Sequence, residues 1–253
     1  MALIEMKIFS EALGMATEVC VVMPQRCSIS AKGAENKDDM EKLKCLYLLH
    51  GLKAGYSDWA RRTSIERYAT DYGICVVMPN AHRSFYTDMK YGNKYYTYIA
   101  KELPMIIQEF FHVSEKRENT YIAGMSMGGY GALKIGLREQ GRFSAAAGIS
   151  TLADIHRKDF HTALKPVFGE DLYVPEEEDL FCLALLHSND PVKPRIFMSC
   201  GTSDFMYQDN VRLKEKFQSL DYDYTYQEAP GGHTWEFWDE QIQHVLKWMF
   251  PDK

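Results

Sequence analysis

The chain has 253 residues, of which 46% are hydrophobic and 25% charged, and its net charge is −6. A single α/β domain of that length buries roughly 75% of the surface its unfolded chain exposes, so it needs neither disulfides nor a structural metal. The acidic balance excludes a nucleic-acid partner, which wants a basic face, and argues against an anionic membrane surface; no apolar run approaches the ~20 residues of a membrane span.

Residues 3–10 and 17–24 read as two short strands around Gly14. The N-terminal stretch carries Glu5 early and no basic segment ahead of an apolar one. It does not read as a secretory signal, and the expectation is a cytoplasmic protein. Residues 26–42 are polar, charged and Gly-containing, an expected exposed loop. The apolar run 43–50 has strand length and suits a strand buried on both faces. A helix around 57–70 leads to a second buried strand, 73–80. Residues 95–111 read as a helix in which Pro104 is a candidate kink. Strand 120–126 runs into a Gly-rich turn and a helix over 127–139. Strands 142–150 and 194–201, a helix at 207–220, a strand at 222–229 and a helix at 236–249 complete the series. This alternation predicts an α/β fold, a mostly parallel sheet with helices on both faces, in one domain spanning 1–253.

Residues 151–193 break the rhythm and are too long for a plain crossover. We expect them to form a short cap, with Phe160, Leu164, Val167, Phe168 and the 181–186 run inward and the acidic run 176–179 facing water. The six cysteines (Cys20, Cys27, Cys45, Cys75, Cys182, Cys200) include no CxxC pair, and four lie in apolar runs. Reduced core thiols are expected, and no metal site. His156 and His161 lack the matched carboxylate spacing that a metal would need.

The chemistry centres on Gly124-Met125-Ser126-Met127-Gly128, between a strand and a helix. The pattern alone is weak. Its context is stronger, because a turn sharp enough to lift a serine hydroxyl above a sheet needs small neighbours. A serine needs a base. His233 follows Pro230-Gly231-Gly232, a flexible turn before the last helix, whereas His244 lies inside that helix. For the acid, Asp204 stands at a strand end; Asp209, Asp221 and Asp223 are competitors on surfaces. Oxyanion donors are expected in the backbone N–H groups of Met127 and of Leu52, in the turn after His50-Gly51. His50 itself is expected to be structural.

LYLLHGLKAGYSDW, VVMPN, YYTYIAKELP, YIAGMSMGGYGAL, GTSDF and GGHTWEFW together resemble the esterase D family of α/β-hydrolases, over about residues 3–250. That family includes short-chain carboxylesterases, S-formylglutathione hydrolases, and feruloyl and acetyl esterases. The run His233-Thr-Trp235-Glu-Phe-Trp238 resembles that of bacterial tributyrin esterases, and S-formylglutathione hydrolases lack its tryptophan pair. The resemblance implies a Ser126–His233–Asp204 triad and oxyanion donors at Leu52 and Met127, with no cofactor. The expected activity is hydrolysis of short acyl esters, acetyl to butyryl, on a small-molecule or plant-derived carbohydrate alcohol. Feruloyl ester or S-formylglutathione hydrolysis is the alternative, and a catalytically silent binding module belongs to a different class. Tyr91, Trp235 and Trp238 are candidate substrate-binding residues; Tyr86, Tyr95 and Tyr96 are further aromatics that either line a pocket or pack in the core. A homo-oligomer is a further expectation.

Overall fold

Among the residues that the computed structural model describes, 1–25 and 41–251, eight strands form one sheet in the order β1-β2-β4-β3-β5-β6-β7-β8. Cys27 and most of the loop expected over 26–42 lie outside the described residues. The strands are β1 (Ala2–Ser10), β2 (Met15–Met23), β3 (Cys45–Leu49), β4 (Cys75–Pro79), β5 (Thr120–Met125), β6 (Ala145–Ile149), β7 (Arg195–Gly201) and β8 (Tyr224–Ala229). β1 pairs antiparallel with β2, and β2 with β4; every other pairing is parallel.

Every residue of β3, β4, β5 and β6 is buried, as the unbroken apolar runs require of strands covered on both faces. The edge strand β1 instead alternates, with Leu3, Glu5, Lys7 and Phe9 outward. Successive residues of a strand point to opposite faces. Tyr47 and Leu49 therefore join one core and Leu46 and Leu48 the other. The first core is closed by α3 (Tyr95–Thr97), α4 (Leu103–Phe110), α5 (Met127–Arg138), α6 (His161–Phe168), α7 (Leu180–Leu186) and α8 (Tyr207–Gln218). The second lies under α1 (Asp58–Arg62), α2 (Ile65–Tyr72) and α9 (Trp235–Met249).

Two expected helices differ in detail. The helix expected at 57–70 is two, because Thr63 turns extended and its hydroxyl takes over local backbone bonding: it accepts from the Ile65 N–H at 3.2 Å and donates to the Trp59 carbonyl at 2.5 Å. The helix expected at 95–111 continues past Pro104. The missing N–H is absorbed by a π-helical turn over Tyr98–Glu102 just ahead of it.

The stretch 151–193 contains α6 and α7 with short 3-10 turns before each. Leu164, Val167, Phe168, Leu183 and Ala184 are buried as expected, Leu180 is buried as well, Phe160 is half-buried, and Leu185 and Leu186 are exposed. The acidic run needs a correction: Glu178 does not face water but is 6% exposed. Its carboxylate accepts from buried Lys134 of α5 (2.5 Å), Thr87 (2.9 Å) and Arg138 (2.7 Å), and its carbonyl accepts from the Tyr130 hydroxyl (2.6 Å). A carboxylate tolerates burial only with such partners. Burial pushes the Glu178 carboxyl upward, but Lys134, Thr87 and Arg138 outweigh it and hold the group below its usual range. Asp179 also leaves solvent in part, capping α7 by accepting from the Phe181 and Cys182 N–H groups. Among the described residues, no helix is long and apolar enough to cross a membrane.

Candidate active site

The parallel strands end along one edge of the sheet, where open α/β sheets bind ligands. β5 stops at Met125, and Ser126 turns the chain sharply into α5 with φ 58° and ψ −120°. That left-handed conformation is strained for a residue with a side chain. It holds because the surroundings fix it. The Ser126 N–H donates to the Ile149 carbonyl of β6, and the Ser126 carbonyl accepts from Tyr130 and Leu152. Small neighbours are obligatory: a Cβ on Gly124 would stand 2.3 Å from the Gly128 carbonyl oxygen, and one on Gly128 2.3 Å from that of Leu49. A Cβ on Gly51 would come within 3.3 Å of Ser126 Cβ, so the turn after β3 runs directly alongside the serine. In that turn and at the start of α5, the N–H groups of Leu52 and Met127 donate to no acceptor among the described residues. They are free for a ligand oxygen.

The turns after β7 and β8 are joined backbone to backbone. Thr202 N–H donates to Ala229 O (3.0 Å) and Ser203 N–H to Gly231 O (2.9 Å), and no Cβ would fit between Gly201 and Gly231. This junction sets Asp204 against His233. Asp204 Oδ2 lies 2.9 Å from His233 Nδ1, and His233 Nε2 lies 3.0 Å from Ser126 Oγ. Burial raises the Asp204 carboxyl, but His233, the Met206 N–H and the Ser150 hydroxyl together hold it below its usual range. The ionised carboxylate accepts the Nδ1 proton, which leaves Nε2 to receive the proton of Ser126. Competing carboxylates are engaged elsewhere: Asp209 with Arg157 and Arg212, and Asp221 with Lys193.

His50 is structural, as expected. Its Nδ1 donates to the Gly51 carbonyl at 2.8 Å and its Nε2 accepts from the Ala81 N–H at 2.9 Å, which fixes a neutral ring. Burial pushes its pKa down to about 4.

The candidate substrate-binding aromatics divide. The Trp238 ring packs edge-on against His233 (centroids 4.9 Å), and its Nε1 donates to Ser150 Oγ at 3.2 Å; Trp235 packs on Trp238 at 5.1 Å. Trp238 is buried, so it supports His233 from behind. The structure does not bring Tyr91 to the site: the residue is 61% exposed, with its ring beside Lys90 and its backbone tied to Pro166. Tyr86, Tyr95 and Tyr96 are buried, and Tyr95 and Tyr96 also line surface clefts. Two neighbours were missed. Ser150, at the end of β6 with φ 45°, links Trp238 to Asp204. Phe205, 54% exposed, sets its ring edge-on to His233 at 4.8 Å. Its place directly after Asp204 was the one available signal.

The family model Esterase, described as "Putative esterase", matches residues 10–249. The chain is 31% identical over 263 aligned positions to an acetyl esterase of Caldicellulosiruptor saccharolyticus, covering 98% of each. It is similar in structure to FphF, a fluorophosphonate-binding serine hydrolase of Staphylococcus aureus with substrate bound, with TM-score 0.87, 31% identity and 98% of both chains covered. It is also similar to the S-formylglutathione hydrolase FrmB of Staphylococcus aureus, with TM-score 0.86, 32% identity and 98% of both chains covered.

Proposed function

Because the chain belongs to the Esterase family and has the α/β-hydrolase fold, we propose that it is a serine carboxylesterase cleaving short acyl esters, acetyl to butyryl, through an acyl-enzyme on Ser126. The observation that carries this reading is the continuous hydrogen-bonded path from Ser126 through His233 to Asp204. His233 Nε2 takes the Ser126 proton as Oγ attacks the ester carbonyl. The carbonyl oxygen becomes an oxyanion held by the Leu52 and Met127 N–H groups. Collapse expels the alcohol, which receives its proton from His233. Water then enters the vacated place and is activated by the same imidazole, releasing the acid and restoring Ser126. Asp204 keeps the imidazole in the correct tautomer and offsets its charge while it carries the extra proton.

The short-chain preference rests on two supports. One is the relative named acetyl esterase. The other is the 151–193 stretch, which we propose caps the site, with Phe160 as a wall residue packed edge-on to Phe85 (centroids 6.4 Å). Each further acyl methylene gains only about 0.8 kcal/mol on burial, less than a clash with a packed wall costs. Thioester hydrolysis is the second reading, favoured by the relative named S-formylglutathione hydrolase. Fluorophosphonate labelling of the wild type and of Ser126→Ala tests the nucleophile. A panel of p-nitrophenyl esters, acetylated xylan, methyl ferulate and S-formylglutathione tests the substrate class. Labelling that survives Ser126→Ala refutes the mechanism, and kcat/KM highest on S-formylglutathione replaces the first reading with the second.

A further inference from the structure

Beside Leu52 lies a cleft of about 450 Å³, lined by Leu52, His82, Arg83, Met89, Asn93 and Tyr95 among others. It borders the same turn whose Leu52 N–H is the proposed oxyanion donor. The far wall is a loop with an unusual backbone. His82, Phe85 and Tyr86 all have positive φ (46°, 51° and 53°), although none is glycine. Several hydrogen bonds hold that strain. The Ala81 N–H donates to His50 Nε2, the Tyr86 hydroxyl to the His50 carbonyl, the Tyr86 N–H to Ser84 Oγ, and Lys134 Nζ to the Phe85 carbonyl. Backbone strain of this kind persists only where the structure over-determines it, and it clusters at ligand sites. The loop is thus pinned to the turn that carries the oxyanion donor.

At its tip stands Arg83. Its guanidinium is exposed and forms no ion pair, hydrogen bond or ring contact among the described residues. Arg157 and Arg212, by contrast, are both tied to carboxylates. In a chain of net charge −6, an unpaired arginine on a loop tied by several hydrogen bonds, lining a cleft that Leu52 also lines, is a ready fork for oxygen anions.

We propose that this cleft is a subsite for a carboxylate carried by the ester, and that Arg83 is its specificity-determining residue; the inference rests on the esterase reading above. The carboxylate belongs to either the acyl or the alcohol half, and paired substrates distinguish them. For the acyl half the pair is mono-p-nitrophenyl succinate against p-nitrophenyl butyrate. For the alcohol half it is 4-carboxyphenyl acetate against phenyl acetate.

The readout is the ratio of kcat/KM, anionic over neutral, in wild type, Arg83→Gln and Lys101→Gln, the last removing one exposed positive charge outside the cleft. Arg83→Gln should lower the ratio about tenfold in one pair, the lower end for one charge-assisted hydrogen bond, as its exposure requires, and that pair identifies the half. Lys101→Gln should change it less than about twofold, since Lys101 does not line the cleft and exposed charges are screened by salt. Ratios unmoved by Arg83→Gln in both pairs, or moved equally by Lys101→Gln, overturn the subsite and leave the esterase reading standing. A wild-type enzyme that cleaves none of the four esters overturns both.

Discussion

Replacing Glu178 by Gln keeps the shape of the side chain and removes the charge that faces Lys134. Lys134 is fully buried, with Nζ 2.5 Å from Glu178 Oε2 and, among the described residues, otherwise only Thr87 Oγ1 and the Phe85 carbonyl as hydrogen-bond acceptors. Burial already lowers its pKa from 10.5 to about 8, with Glu178 opposing the shift. Without that carboxylate, the ammonium is an uncompensated buried charge, and breaking such a pair costs about 3–5 kcal/mol. Deprotonation limits the loss: releasing the proton at pH 7 from a group with an ordinary pKa of 10.5 costs about 5 kcal/mol. Glu178→Gln should therefore lose about 3–5 kcal/mol in urea denaturation, or roughly 10 °C in Tm for a chain of this size.

The pH dependence has a definite sign. A lysine whose folded pKa is depressed binds its proton more weakly than the unfolded chain does, so stability rises with pH between the folded and unfolded values. In the wild type that window runs from about 8 to 10.5. In the variant it begins lower, so the deficit narrows as pH rises toward 8. Lys134→Met combined with Glu178→Gln should recover most of the loss, because no buried cation remains. A Glu178→Gln protein within about 1 kcal/mol of wild type across this pH range, against the expected loss of about 3 kcal/mol or more, would refute the buried pairing.

Three further outcomes follow from the site and its surroundings. Asp204→Asn should lower kcat about 10⁴-fold, less than Ser126→Ala, because the imidazole loses its preferred tautomer while the oxyanion donors remain; an equal loss in both variants, measured on p-nitrophenyl acetate, would contradict the assigned role. Phe160→Ala should raise the hexanoyl-to-acetyl ratio of kcat/KM without abolishing acetyl turnover, and a ratio that stays put removes Phe160 from the acyl wall. His50, with a folded pKa of about 4 against 6.5, stays neutral where the unfolded chain binds a proton. Stability should then fall by up to about 3 kcal/mol as pH drops from 6.5 to 4, and urea midpoints for His50→Gln should lack that part of the slope.

Local pattern made most of the frame readable. Buried parallel strands leave unbroken apolar runs, and β3, β4 and β5 appear within two residues of their expected ends. The sharp turn at Ser126 also left a local trace, because the close approaches at Gly124 and Gly128 admit no side chain. What escaped was long-range. Glu178 looked like part of a solvated acidic run, and its partner Lys134 lies 44 residues away on a helix buried all round. No periodicity marks such a pairing. The positive φ values at His82, Phe85 and Tyr86 were equally hidden, since turn signals are carried by glycine and asparagine rather than by aromatic residues. Tyr91 was singled out for its ring alone, and a ring says nothing about which way a loop faces. Ser150 gave no motif at all; its importance comes from the strand order that sets β6 between β5 and β7.

The seam between the turns after β7 and β8 has a consequence for how the protein can change over generations. The spacing of acid and base is carried by main-chain bonds, Thr202 to Ala229 and Ser203 to Gly231, so drift in most neighbouring side chains leaves it untouched. The 151–193 stretch is held differently, by side chains converging on Glu178. A lineage that preserves this clasp, the buried apolar residues of α6 and α7 and the junctions to β6 and β7 is free to rewrite the exposed positions between them. On the proposed reading the acyl wall is a segment separable from the chemistry, and exchanging 151–193 between relatives tests whether selectivity travels with it.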